Sequence, residues 1–162
     1  MIIRNATQED LSSINDIYNQ SIHTKSSTAD IDPVASEERK NWFNSHDAYH
    51  PIFVAEENDQ IIGWISISDY RPGRRALRYT AEISYYIHED FQKRGIGSKL
   101  MEYAITNAPK YNIRTLFAIL LENNATSIKL LEKFNFEKWA HLPGVAYFDG
   151  IEIGQYYYGR RV

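Results

Sequence analysis

The segment Ile87-His88-Glu89-Asp90-Phe91-Gln92-Lys93-Arg94-Gly95-Ile96-Gly97-Ser98 constrains this chain more than any other. An apolar run from Thr80 to Ile87 ends there, and two glycines follow one residue apart. From Gly95 onward Ile96, Leu100, Met101, Ala104 and Ile105 recur at helical spacing. A strand that hands over to a helix in this way leaves the first N–H groups of the helix unpaired, at the positive end of its dipole. With no side chain at Gly95 or Gly97, an anion can approach that main chain closely. Lys93 and Arg94 add positive charge at the same place. Several converging donors suit a pyrophosphate better than a carboxylate. The alternative is a glycine turn that only lets helix and strand pack; Gln92, the two basic residues and the strand-to-helix context favour the anion site. The third glycine of a dinucleotide fingerprint is missing, and so is the Gly-Lys-Ser/Thr ending of a nucleotide P-loop.

Around this segment the periodicities predict a strand at Ile2-Ile3-Arg4 and a helix capped by Thr7, with Leu11, Ile14, Ile17, Tyr18 and Ile22 on one face. Thr24 to Pro33 shows no period. Ser36-Glu37-Glu38-Arg39 opens a second helix through Trp42 and Phe43. Ile52–Ala55 and Ile61–Ser68 read as a hairpin around Glu57-Asn58-Asp59-Gln60, and Arg71-Pro72-Gly73 as a loop. A strand at Thr80–Ile87, the helix from Gly95, a strand at Thr115–Leu120 and a helix at Ser127–Phe134 follow. Two or three strands, near Glu137–Trp139, Val145–Phe148 and Gly154–Tyr158, close the chain. The order predicts an α/β fold in one domain over residues 1–162: a twisted mixed sheet of six to seven strands, helices on both faces, with a parallel pair from Thr80 to Leu120.

Composition excludes several chemistries. The 162 residues contain no cysteine, which removes disulfides, thiolate metal sites and a cysteine nucleophile. A net charge of −3 gives no electrostatic footprint for nucleic acid; the local clusters Arg71/Arg74/Arg75/Arg78 and Lys93/Arg94 ask for small anions. No apolar run is long enough to span a bilayer, and the first six residues are too short for a signal-peptide core, so a cytoplasmic protein is expected. His46 and His50 have helical metal-ligand spacing, but Pro51 follows and no third ligand is spaced to join them. No metal is expected.

Gln92-x-x-Gly95-x-Gly97 resembles the acyl-CoA signature of the GNAT acetyltransferase superfamily, and the likeness extends over nearly the whole chain. Within it, Arg71-Pro72, Tyr79-Thr80-Ala81-Glu82-Ile83-Ser84-Tyr85-Tyr86-Ile87, Asn124-Ala125-Thr126-Ser127 and the pair Trp42-Phe43 resemble the phosphinothricin and methionine sulfoximine N-acetyltransferases. The resemblance implies acetyl-CoA as cosubstrate. It implies that the main chain of Tyr85, Tyr86 and Ile87 pairs with the pantetheine arm as an added strand. Gln92, Lys93, Arg94, Gly95, Ile96, Gly97 and Ser98 would then hold the pyrophosphate. Asn124 would contact the cofactor near its reactive end, and Lys133 would sit near the distal phosphates. Arg71, Pro72 and Gly73 correspond to the substrate loop, and Ile83 and Ser84 to further substrate contacts. A homodimer is expected on the same ground.

An amine must lose a proton before it attacks a thioester. Glu82, at the position where the family has a glutamate, is the expected general base; the alternative is a strand-edge carboxylate paired with Arg78. Two positions depart from the family pattern. Ile83 stands where histidine often follows the glutamate, and Leu131 where a tyrosine or histidine can act as acid. Another tyrosine, a water or unassisted departure of the thiolate remain open. Arg74 and Arg75 belong to a loop one residue longer than usual, and read equally as a carboxylate clamp or a solvated basic loop. The expected activity is acetyl transfer to the primary amine of a small amino-acid-like acceptor. Other readings are a protein N-terminus or polyamine as acceptor, or a non-catalytic CoA-binding module.

Overall fold

In a computed structural model that describes residues 1–162, the chain runs β1 (Ile2–Asn5), α1 (Leu11–Ile22), α2 (Ser36–Asn44), β2 (Ile52–Glu57), β3 (Gln60–Asp69), β4 (Thr80–Ile87), α3 (Ile96–Asn107), β5 (Thr115–Leu121), α4 (Ala125–Lys133), β6 (Glu137–Phe148) and β7 (Ile151–Arg161). This is the order expected from the sequence. The strands form one sheet in the order β1-β2-β3-β4-β5-β7-β6. Every neighbouring pair is antiparallel except β4 and β5, which are parallel.

Both faces of the sheet are covered, so its central strands read as nearly continuous apolar runs rather than alternating ones. Successive residues of β2 divide between the two sides. Phe53 and Ala55 join the larger core with Leu100 and Met101 of α3 and Leu131 of α4. Ile52 and Val54 join the smaller one with Ile14 and Ile17 of α1 and Trp64 of β3. The chain enters α1 through a tight polar knot: the guanidinium of Arg4 donates to Asp10 at 2.7 and 2.9 Å and to Glu56 at 2.7 Å. Burial alone would raise the Asp10 carboxyl; hydrogen bonds from Arg4 and from the Thr7 main chain outweigh it and hold the group below its ordinary range.

The C-terminal region differs from expectation. Glu137–Trp139 and Val145–Phe148 are parts of one twelve-residue strand, β6. Pro143-Gly144 reads locally as a turn, yet it produces only a register shift between Leu142 and Ala146, after which pairing with β7 resumes.

One irregularity of the sheet positions everything functional. β4 pairs with β3 over seven residues, up to Ile87, but with β5 only through Thr80, Ala81 and Glu82. Beyond Glu82 the two parallel strands part. The edge of β4 from Ile83 to Ile87 is left open on the β5 side, with its main-chain donors and acceptors available to an added strand.

Candidate active site

The turn after β4 does what its glycines foretell. Gly95 sits at φ 79°, a left-handed conformation that a side chain would strain, and serves as N-cap of α3. Gly97 is tight for a different reason: an added Cβ would lie 3.3 Å from Leu130 Cδ2 on α4. The first turn of α3 draws its earliest internal bond from Lys99 N–H to Gly95 O. None of the six consecutive N–H groups from Lys93 to Ser98 donates to a protein acceptor. All of these residues but Arg94 line a groove of about 440 Å³ that runs from Lys93 and Gly95 past Gly97 to Tyr85, Ile87 and Asn124.

The predicted cofactor residues divide clearly in this setting. Tyr85, Tyr86, Ile87, Gln92, Lys93, Gly95, Ile96, Gly97, Ser98 and Asn124 all line the groove. Two do not. Arg94 turns its guanidinium away, to Glu57 at 2.8 Å, so only its main chain stays with the turn. Lys133, outside the lining, donates to Ser98 Oγ at 3.0 Å and so adds charge at the mouth of the site. Asn124 caps α4 by accepting from Ser127 N–H. Periodicity gave no sign that Ser21, Thr24, Ser26 and Ser27 form the opposite wall, because the stretch that carries the last three has no regular structure.

On the other face of the splayed strands lies a second cavity of about 350 Å³. Glu82, Ser84 and Tyr86, alternate residues of β4, line it, opposite Trp64 of β3 and beneath α1 and α2. Ser27 and Tyr86 line both cavities, so the groove and the second cavity meet there. The Tyr86 hydroxyl makes a long contact, 3.4 Å, to Ser27 O. The Thr24–Val34 segment is held over the cavity by side chains of α1. Tyr18 Oη reaches Thr28 at 2.7 Å and Asp30 at 2.5 Å, while Asn15 and Asn19 donate to Val34 O at 2.9 and 3.1 Å.

Glu82 makes no ion pair and no side-chain hydrogen bond, and burial pushes its carboxyl above the ordinary glutamate value. The alternative pairing with Arg78 is absent: that guanidinium donates to Arg75 O and stacks on Tyr79. Of the other predicted substrate residues, Ser84 lines the cavity, whereas the Ile83 side chain points into the larger core. Arg71, Pro72 and Gly73 lie on an exposed loop outside the cavity lining, as do Arg74 and Arg75. His46 is satisfied within the protein, by Trp42 O at 2.9 Å and Ser68 Oγ at 3.0 Å, whereas His50 meets Asp47 through Nδ1 at 2.8 Å and its Nε2 is buried without a partner.

Residues 13–136 match the Acetyltransferase (GNAT) family. The chain belongs to the GNAT acetyltransferase family. As such it is an N-acyltransferase of the acetyl-CoA-dependent class. It is 41% identical over 151 residues to YwnH of Bacillus subtilis, a protein provisionally named a phosphinothricin acetyltransferase; the match covers 93% of this chain and 92% of that one. It is 30% identical to the L-methionine sulfoximine/L-methionine sulfone acetyltransferase of Salmonella typhimurium, over 96% of this chain and 89% of the relative. The solved structure of yncA from Salmonella typhimurium, with its cofactor acetyl-CoA, superposes with a TM-score of 0.91 at 28% identity, covering 99% of this chain and 92% of that one. No helix of this acetyltransferase is long and apolar enough to cross a membrane.

Among the cavity residues to which the sequence assigned no part in the site are Tyr18, Asp30, Arg39 and Trp64. One of them did carry a signal. Arg39 stands three and four residues before Trp42 and Phe43, on the apolar stripe of a helix otherwise charged or polar.

Proposed function

We propose that this acetyltransferase transfers the acetyl group of acetyl-CoA to the primary amine of a small amino-acid-like acceptor in a ternary complex. The observation that carries the proposal is the junction at Ser27 and Tyr86, where a groove rich in free main-chain donors opens into a cavity holding an unpaired carboxylate. The diphosphate of coenzyme A fits the head of α3, and its pantetheine arm fits the open edge of β4 as an added strand. The thioester then lies at the junction, with the acceptor beyond it. The second cavity, about 350 Å³ and bordered by Ser27–Asp30, has the size of a small-molecule site. The relatives named for methionine sulfoximine, methionine sulfone and phosphinothricin support the same acceptor class.

In this reading Glu82 takes a proton from the acceptor ammonium, directly or through a water. The freed nitrogen attacks the thioester carbonyl, the N–C bond forms, and the C–S bond breaks as the tetrahedral intermediate collapses. The nitrogen passes its second proton to water, and the sulfur leaves as thiolate. Leu131, fully buried and aliphatic, gives it nothing. Tyr85 supports a role there. The residue lines the groove, its occluded hydroxyl has no close hydrogen-bond partner and would turn toward the sulfur to donate, and burial pushes its pKa up to about 12. A phenol held so firmly protonated stabilises a thiolate by donating a hydrogen bond rather than by surrendering its proton. Tyr85→Phe should lower kcat about tenfold with unchanged CoA affinity; an unchanged kcat would mean that the sulfur departs unassisted.

The decisive assay follows thiol release from acetyl-CoA over a panel of amino acids, including L-methionine sulfone, L-methionine sulfoximine and phosphinothricin, with polyamines and a peptide as competitors. Turnover confined to small amino acids is expected. Tight CoA binding with no turnover for any amine would instead make the protein a CoA-binding module.

A further inference from the structure

Two charged residues are buried: Asp10 is paired with Arg4, whereas Arg39 has no partner ion and no task in the mechanism. Only 6% exposed, it projects from α2 into the cavity that contains Glu82. Its guanidinium carbon lies 4.3 Å from the ring centroid of Tyr18, 4.7 Å from that of Trp42 and 5.9 Å from that of Trp64. Such rings favour a cation and fix the plane of the guanidinium, but they take up none of its N–H groups.

The donors are mostly idle. Nε donates to Asn15 Oδ1 at 3.1 Å, and no other hydrogen bond or ion pair includes the side chain. Both terminal amino groups, the prongs of the fork, therefore lack an acceptor. They are not sealed off. The occluded, unpartnered polar atoms of the molecule are His50 Nε2, Ser66 Oγ and Tyr85 Oη, and neither Arg39 amino nitrogen is among them. Arg39 also borders a smaller surface pocket beside Asn15, but the three rings around its guanidinium, Tyr18, Trp42 and Trp64, all line the cavity that contains Glu82, so the fork opens on that side. A buried cation with no counter-ion is costly. Burial draws the guanidinium below its ordinary pKa, which is the direction an arriving anion would reverse.

We infer that Arg39 is the anion-recognition residue of the acceptor cavity, taking the carboxylate of a zwitterionic amino acid in its open fork while the acceptor nitrogen lies toward Glu82. The inference rests on the acceptor reading above and narrows it. Asp30, Glu38 and Glu82 line the same cavity, so without Arg39 the site would suit a simple cation. With Arg39 it carries both signs, as a zwitterion does, and a polyamine would set a second positive charge beside the guanidinium. The arginines of the exposed 71–75 loop lie outside this cavity, and the planar fork of Arg39 matches a carboxylate bidentately.

The test compares L-methionine sulfone with its carboxamide, which keeps the amine and removes the anion, in wild type, Arg39→Gln and Arg39→Lys. Binding is followed by tryptophan fluorescence in the presence of CoA, since Trp42 and Trp64 flank the fork; turnover is followed by thiol release. Wild type should prefer the acid about 100-fold in kcat/KM and in affinity. Arg39→Gln should erase that preference by losing the acid alone, with the amide within about threefold. Arg39→Lys keeps the charge without the fork and should fall about tenfold on the acid; it also stands in if the glutamine variant does not fold. Equal losses on acid and amide, or no wild-type preference, would overturn the inference. Acid binding that depends on Arg39 without turnover of any amine would sustain it while removing the acetyl-transfer reading.

Discussion

The two cavities that meet at Ser27 and Tyr86 are built from different materials. The groove offers chiefly main chain: six idle N–H groups from Lys93 to Ser98 and the open edge of β4. Lys93 on its lining and Lys133 at its mouth are exposed. The second cavity offers side chains, contributed by α1, α2, the Ser27–Asp30 segment, β3 and β4. Its key charges, Glu82 and Arg39, are withdrawn from water and make no ion pair. A main-chain site tolerates many side chains and demands glycines. A side-chain site is intolerant at a few scattered positions. The first arrangement suits a constant cofactor, the second a variable acceptor.

The largest effect should fall on the side-chain cavity. Glu82→Gln should reduce kcat by about 10²- to 10⁴-fold, the usual span for losing a general base, with CoA affinity unchanged. The pH dependence sharpens this. Because burial raises the Glu82 carboxyl above 4.5, wild-type kcat/KM should climb with pH along a limb displaced above that value, and the limb should vanish in the variant. Stability should move the opposite way. A carboxyl whose folded pKa is raised favours the folded state below the unfolded value and loses that contribution as pH rises through the folded pKa. Glu82→Gln should therefore have a higher Tm than wild type near neutral pH and no advantage in acid. A variant that keeps full turnover would remove Glu82 from the chemistry.

Next in size is a break in the groove. Gly97→Glu brings a carboxylate to the first turn of α3, where the diphosphate is to sit, and its Cβ must press on Leu130 Cδ2 at 3.3 Å. Calorimetry should show CoA affinity lowered about 100-fold through lost N–H contacts and charge repulsion. Gly97→Ala supplies the steric contact without the charge and should cost only a few-fold. If both variants bind CoA as wild type does, the cofactor does not lie at the head of α3.

The same contrast explains what could be read from the sequence. The donor-rich turn at the head of α3 was legible because its cause is local: a strand, a turn and a helix start fall within twelve residues, and the unpaired N–H groups follow from helix geometry wherever such a helix begins. The element order was legible for the same reason, since each period belongs to one segment. The acceptor cavity was not, because Tyr18, Asp30, Arg39, Trp64 and Glu82 become neighbours only once the sheet has formed and both helices cover its face. Glu82 was found through the family pattern rather than through any local rule. Arg71, Pro72 and Gly73 drew attention through the family pattern as well as through charge, and neither says which way an exposed loop faces. The Pro143-Gly144 pair misled because a turn dipeptide and a strand irregularity share the same residues; only the partner strand β7 decides between them.

The smallest expected effect separates the two regions by their response to salt. Lys133 is exposed and tethered to Ser98 Oγ, so its charge acts on the cofactor phosphates through water and mobile ions. Removing it as Lys133→Ala should weaken CoA binding only about two- to threefold in dilute buffer, the ordinary worth of an exposed pair. At about 1 M salt, where the screening length falls to about 3 Å, wild type and variant should bind alike. Arg39 is buried among three aromatic rings and is screened less, so the difference between Arg39→Gln and wild type toward an amino acid should survive the same salt better than the Lys133 effect does. A Lys133 effect that persists in high salt would place that ammonium in direct contact with a phosphate. An Arg39 effect that fades would mean that the second cavity is far wetter than its burial implies, and that the division between a solvated main-chain groove and a dry side-chain cavity does not hold.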